Sequence, residues 1–168
     1  MSKTFAAIAL ILPCLLLTQC DAGKKVAQTV LGRGNPENPA VAFDVAIEMT
    51  PAAAARFKAS SDTLVVDVAY YGYPTEAARP KVNNLQQIDL GQDLVGVIPT
   101  TEKVHVPGGG LNQKALSDVI DGTVMVLVDG YSITPDSNPD GLVKCSYYRD
   151  RLEMARTRAA IKCDIETP

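Results

Sequence analysis

The chain has 168 residues, with 16 Lys and Arg against 19 Asp and Glu, 46% hydrophobic residues and no Trp. So mildly acidic a chain offers no basic surface for nucleic acid, which argues against that class of partner. The length suffices for one domain whose core must rest on Val, Leu, Ile, Ala and Tyr.

Met1-Ser2-Lys3-Thr4 is polar with one positive charge, and residues 5–17 are apolar apart from Pro13 and Cys14. As a helix this run would rise about 20 Å, short of a hydrocarbon core of about 30 Å. A run of that length, with lysine before it and small polar residues after it, predicts a signal peptide over 1–19 rather than a permanent span. It ends Leu17-Thr18-Gln19-Cys20, which resembles the lipobox of bacterial lipoproteins, cut by a signal peptidase II type enzyme. The resemblance implies cleavage before Cys20 and acylation of its thiol with diacylglycerol carrying chains such as palmitate. It implies a membrane as partner through that anchor, and a place in the cell envelope facing the periplasm. Gln19 stands where the family has Gly, Ala or Ser, so cleavage after Ala22 and free secretion is the alternative. Asp21 resembles the signal that holds enteric lipoproteins in the inner membrane. Lys24 and Lys25 would each add about 1 kcal/mol on anionic lipid, the alternative being that they are solvated linker charges.

Residues 20–39 read as a flexible tether. Gly23, Gly32-Arg33-Gly34 and Asn35-Pro36-Glu37-Asn38-Pro39 supply breakers and charge without an apolar period. A single globular domain is expected over 40–168.

Strict alternation then begins: Val41, Phe43, Val45, Ile47 and Met49 share one face of a half-buried strand. Thr50-Pro51 supplies an N-cap and a first-turn proline for a helix over 52–59. A second strand, β-branched and aromatic, fits 63–73. Shorter strands fit 85–90, 94–98 and 103–106, with breaks at Gly91-Gln92-Asp93 and Pro99-Thr100-Thr101. Residues 111–120 form a short helix or a loop. A further strand covers 123–133, a helix 146–159, and a terminal strand 160–165. Many strands with short breaks predict a mostly β chain, an antiparallel β-sandwich (Ig-like or transthyretin-like) with one or two short helices. A two-layer α+β fold is the alternative.

Beyond the leader and anchor only Cys145 and Cys163 remain. Exported thiols left in an even number pair, so a disulfide is expected. Asp136, Asn138 and Asp140 match the opening of a calcium loop, but the twelfth position is Tyr147 rather than a bidentate Glu. Metal is therefore not expected, and no cofactor is. His105 is the single histidine; a hydrolytic reading would need it in a cleft beside a carboxylate or a serine. Tyr70, Tyr71 and Tyr73 could present aromatic surface to a glycan or peptide.

The strand Leu64-Val65-Val66-Asp67-Val68-Ala69-Tyr70-Tyr71 is similar to one in the lipoproteins of type VI secretion, small sandwiches on a lipid tether. The function expected is a non-catalytic envelope lipoprotein that holds or assembles a protein partner. The alternative is a periplasmic ligand-binding module for a sugar, a peptide or calcium.

Overall fold

The computed structural model describes residues 35–98, 102–133 and 142–166. The leader, Cys20, and the loop bearing Asp136, Asn138 and Asp140 lie outside the described residues.

The chain is mostly β, as its alternation predicts. In β1 (Phe43–Met49) Phe43, Val45 and Ile47 are buried while Asp44 and Glu48 face solvent. The Thr50 hydroxyl accepts from the Ala53 N–H at 3.2 Å and Pro51 opens helix α1 (Pro51–Ala59). Phe57 and Ala53 are its buried residues, and it packs on β1 and on β8, the last strand (Ala160–Ile165).

β2 (Thr63–Gly72) lies between β3 (Ile88–Val97) and β5 (Met125–Ile133), antiparallel to both. Leu64, Val66, Val68 and Tyr70 point into the core, each no more than 1% exposed. The two short strands expected over 85–98 are one continuous β3. Gln92 and Asp93 pair regularly with Ala69 and Val68, and Leu90-Gly91 forms a β-bulge opposite Tyr70, where the register slips between Ala69 and Tyr71. Gly91 takes a φ of +95°, and a Cβ there would lie 2.3 Å from the Gly110 carbonyl oxygen. Glycine is required on both counts.

Tyr148–Arg151, expected within a helix, is strand β7; only Leu152–Arg158 is helical (α2). β6 (Val143–Cys145) and β7 pair in succession with the same edge of β5. Between them the Ser146 N–H donates to the Lys162 carbonyl of β8 at 2.7 Å. Cys145 and Cys163 face each other across β6 and β8, with their sulfurs at 1.99 Å.

The all-antiparallel expectation fails at one place: β8 runs parallel to β1, which pairs in turn with β4 (Lys103–Val106). Strand order is therefore β3-β2-β5-β6-β8-β1-β4, one mixed sheet curled nearly into a barrel around a single core. The edges β3 and β4 approach each other, joined by the glycine-rich turn after β4. Its Asn112 N–H donates to the Leu90 carbonyl, and its Pro107 carbonyl accepts from Asn38.

That closure recruits residues expected to be tether. The Asn35 amide donates to the Gln92 carbonyl at 2.9 Å and to Asp93 at 2.7 Å. The fold therefore starts at least five residues before Ala40, because β3 beside its bulge presents acceptors that this segment satisfies. Asp93, only 1% exposed, also accepts from the Tyr70 hydroxyl at 2.7 Å and the Gly110 N–H at 3.0 Å. Burial and this carboxylate push the Tyr70 hydroxyl far above the ordinary tyrosine range, so it remains a donor.

Candidate functional site

Two concave regions carry the chemistry. The first lies on the outer face of the sheet, where β2, β3, β5 and β7 turn away from the core. It is a groove of about 490 Å³, bordered by Tyr71, Leu85, Gln92, Asp129, Tyr147 and Arg149 among others.

Strand period explains why Tyr71, 6% exposed, turns to this face; Tyr73 lies beside the groove rather than in its lining. Tyr71 shares its face with Ala69 and Asp67, whereas the neighbouring Tyr70 ring is turned to the core at 1% exposure. Tyr70 is thus corrected from ligand-binding candidate to structural residue. Tyr71 and Tyr73 meet edge to face, their centroids 6.3 Å apart. From β7, the Arg149 guanidinium sits 5.4 Å from the Tyr71 centroid. Its Nε donates to the Tyr71 oxygen at 2.6 Å and its Nη2 to the Tyr73 oxygen at 3.4 Å. These oxygens, Tyr71 foremost, hold the guanidinium even more firmly charged than usual. The three side chains form one cluster, with aromatic, cation–π and hydrogen-bond contacts between them.

The opposite wall is a tight turn. The Asn83 side-chain oxygen accepts from the Leu85 and Gln87 N–H groups at 2.9 and 3.1 Å, which leaves Leu85 projecting at 75% exposure. On the floor, Asp129 of β5 lies directly opposite Asp67 of β2. Burial, and then the Asp129 charge, raise the Asp67 carboxyl above the usual carboxylate range. Tyr147 completes the rim at 72% exposure.

The second region is a cleft of about 510 Å³ bordered by Asp44, Lys103, His105 and the end of α2. His105 Nδ1 is 3.0 Å from Asp44 Oδ1, and Nε2 is 3.2 Å from the Glu37 carboxylate. The Asp44 hydrogen bond, then that of Glu37, raise the imidazole pKa; the same His105 contact lowers that of Asp44. The histidine does lie in a cleft beside a carboxylate, as a hydrolytic reading requires. Both ring nitrogens are nevertheless taken by carboxylates, so neither is left to deprotonate a nucleophile.

Of the groove residues, sequence reasoning reached Tyr71 but missed Leu85, Gln92, Asp129 and Arg149; Tyr73 lies next to them, in contact with Arg149. Alternation was the available signal: it puts Arg149 of Tyr148–Arg151 on the face opposite Asp150. Among the described residues, no three His, Cys, Asp or Glu side chains converge as metal ligands, and no helix is long and apolar enough to cross a membrane.

Comparison with protein-family models, curated proteins and solved structures gives no match.

Proposed function

We propose that this chain is a non-catalytic lipoprotein of the bacterial cell envelope, tethered through Cys20, that recognises an envelope component through the outer groove of its sheet. The observation that carries this is the groove itself, with Arg149 fastened to Tyr71 and Tyr73 along one side and Leu85 held out opposite. Preformed concavity, the exposed Tyr147 ring and a positioned charge are the ingredients of a recognition site. They are preferred here to a reaction centre because His105, the one histidine, has both nitrogens engaged. The curled sheet leaves one broad outer face for recognition.

A photoactivatable residue at Leu85, expressed in the native bacterium, tests the groove. A discrete adduct is expected from Leu85 and none from Lys58, an exposed position on α1. Loss of specificity between the two positions would remove the groove from the account. Mass spectrometry of the mature N-terminus tests the tether: an acylated Cys20 is expected, and an unmodified Gly23 would contradict it.

A further inference from the structure

We infer that the outer groove is a glycan site, taking a neutral, hydroxyl-rich oligosaccharide laid across the sheet between Tyr147 and the turn at Leu85. This inference rests on the groove being the recognition site and names its ligand class.

The charge pattern excludes the simple alternatives. An anion would find Arg149, but the Asp89 and Asp129 carboxylates border the same groove and outnumber it. A bare cation would find those carboxylates in a groove that Arg149 also lines with a permanent positive charge. A ligand with no net charge that both donates and accepts hydrogen bonds meets neither penalty. The Gln87 and Gln92 amides each offer a donor and an acceptor, and among the described residues they have no side-chain partner. Asp129 uses one oxygen on its neighbouring Gly130 N–H at 2.8 Å, leaving the other as an acceptor. Such amides and carboxylates can pair with the vicinal hydroxyls of a sugar ring. Tyr147, 72% exposed, offers a ring face for the ring's C–H surface.

Position separates a glycan from a peptide. An extended peptide gains affinity by adding a strand to a sheet edge. This groove instead lies over β2 and β5, whose backbone groups are already paired on both sides. Where the edge strand β3 borders it, the Leu90 and Gln92 carbonyls accept from Asn112 and Asn35, and the Gly91 N–H donates to Asp89. Only side chains are on offer, which suits a ligand recognised by hydroxyls and C–H faces. A volume of about 490 Å³ falls within the range of about 300–1,000 Å³ usual for small-ligand sites.

The test is NMR titration of the full-length mature protein in detergent with chitotetraose, maltotetraose and cellotetraose, and with tetra-alanine as the peptide arm. Saturable shifts of the Gln87 and Gln92 side-chain amides are expected with at least one sugar. Affinity should fall at least tenfold in Gln92→Ala and in Tyr147→Ala, and stay unchanged in His105→Ala. A response to chitotetraose alone identifies an N-acetylated amino-sugar chain; a response to the glucans identifies plain hexose. Overturning results are silence towards all three sugars at millimolar concentration, saturation by tetra-alanine alone, or sugar shifts confined to the His105 cleft. If the sugars are silent while the Leu85 adduct persists in cells, the glycan is wrong and the recognition surface stands. If both fail, the groove has no role.

Discussion

Replacing Asp93 by Asn probes the point where the curled sheet is drawn together. The carboxylate is almost fully buried and accepts from three donors: the Tyr70 hydroxyl, the Asn35 amide and the Gly110 N–H. Asn keeps the shape but offers one acceptor oxygen and turns an NH₂ group towards donors. Asn35 is exposed and can turn to water, so the loss falls on Tyr70 and Gly110. A hydrogen bond to a charged group contributes about 1.5–3 kcal/mol, and a stranded buried donor costs about 1–3 kcal/mol. Asp93→Asn should therefore destabilise by about 3 kcal/mol, and Tyr70→Phe, which strands no donor, by about 1.5 kcal/mol. In urea, where m is about 1–3 kcal/mol/M for small domains, the first change lowers the midpoint by about 1–3 M. The double variant should fall short of the sum by about 1 kcal/mol, because the two share one bond. Equal stability of Asp93→Asn and wild type within about 0.5 kcal/mol, the scatter of ordinary surface changes, would refute this role for the carboxylate.

Three other outcomes follow from the same structure. Reducing the Cys145–Cys163 bridge, whose ends are 18 residues apart, should lower unfolding stability by about 3 kcal/mol, measured in urea with and without reductant. Gly130→Ala places a Cβ 2.6 Å from the Cys145 sulfur and 3.0 Å from Ile161; a loss of about 1–3 kcal/mol is expected, and an unchanged midpoint would show that the β5–β6 contact is loose. His105 titrates with its pKa raised, so its bonds to Asp44 and Glu37 stabilise the fold fully below about pH 6.5, the unfolded value, and lose that effect as pH rises through the higher folded value. The pair is exposed and worth at most about 1 kcal/mol. NMR of the single histidine should show an elevated pKa that returns to the ordinary value in Glu37→Gln with Asp44→Asn; no change between the two would disprove the contact.

Local pattern made much of this fold readable. The alternation from Val41 to Met49, the Thr50-Pro51 cap and the β-branched run of β2 each encode their own element, and cysteine parity pointed to the pair that β6 and β8 bring face to face. What stayed hidden depends on distant partners. Gly91-Gln92-Asp93 looks like a turn but lies within a strand, with a bulge at Leu90-Gly91, because β2 pairs along it and the Asn112 and Gly110 N–H groups bond to Leu90 and Asp93. Tyr148–Arg151 has the charged, helix-like composition of α2, yet β5 draws it into the sheet. Asn35 sits in a run of chain breakers, and only its bond to Asp93, 58 residues on, makes it part of the fold. Nothing local marks the parallel pairing of β1 with β8. The groove was half legible: Tyr71 and its neighbour Tyr73 were singled out, but their arginine and facing turn come from other strands.

Hydrogen–deuterium exchange in native membranes tests the central claim most directly, because it reports which face of the domain is covered in the cell envelope. Compared with the purified protein, the backbone around residues 83–92 and 147–149 should exchange more slowly in the membranes, and Arg149→Glu should abolish that difference. Equal exchange of these segments in both preparations, or protection centred instead on the His105 cleft, would contradict recognition through the outer groove.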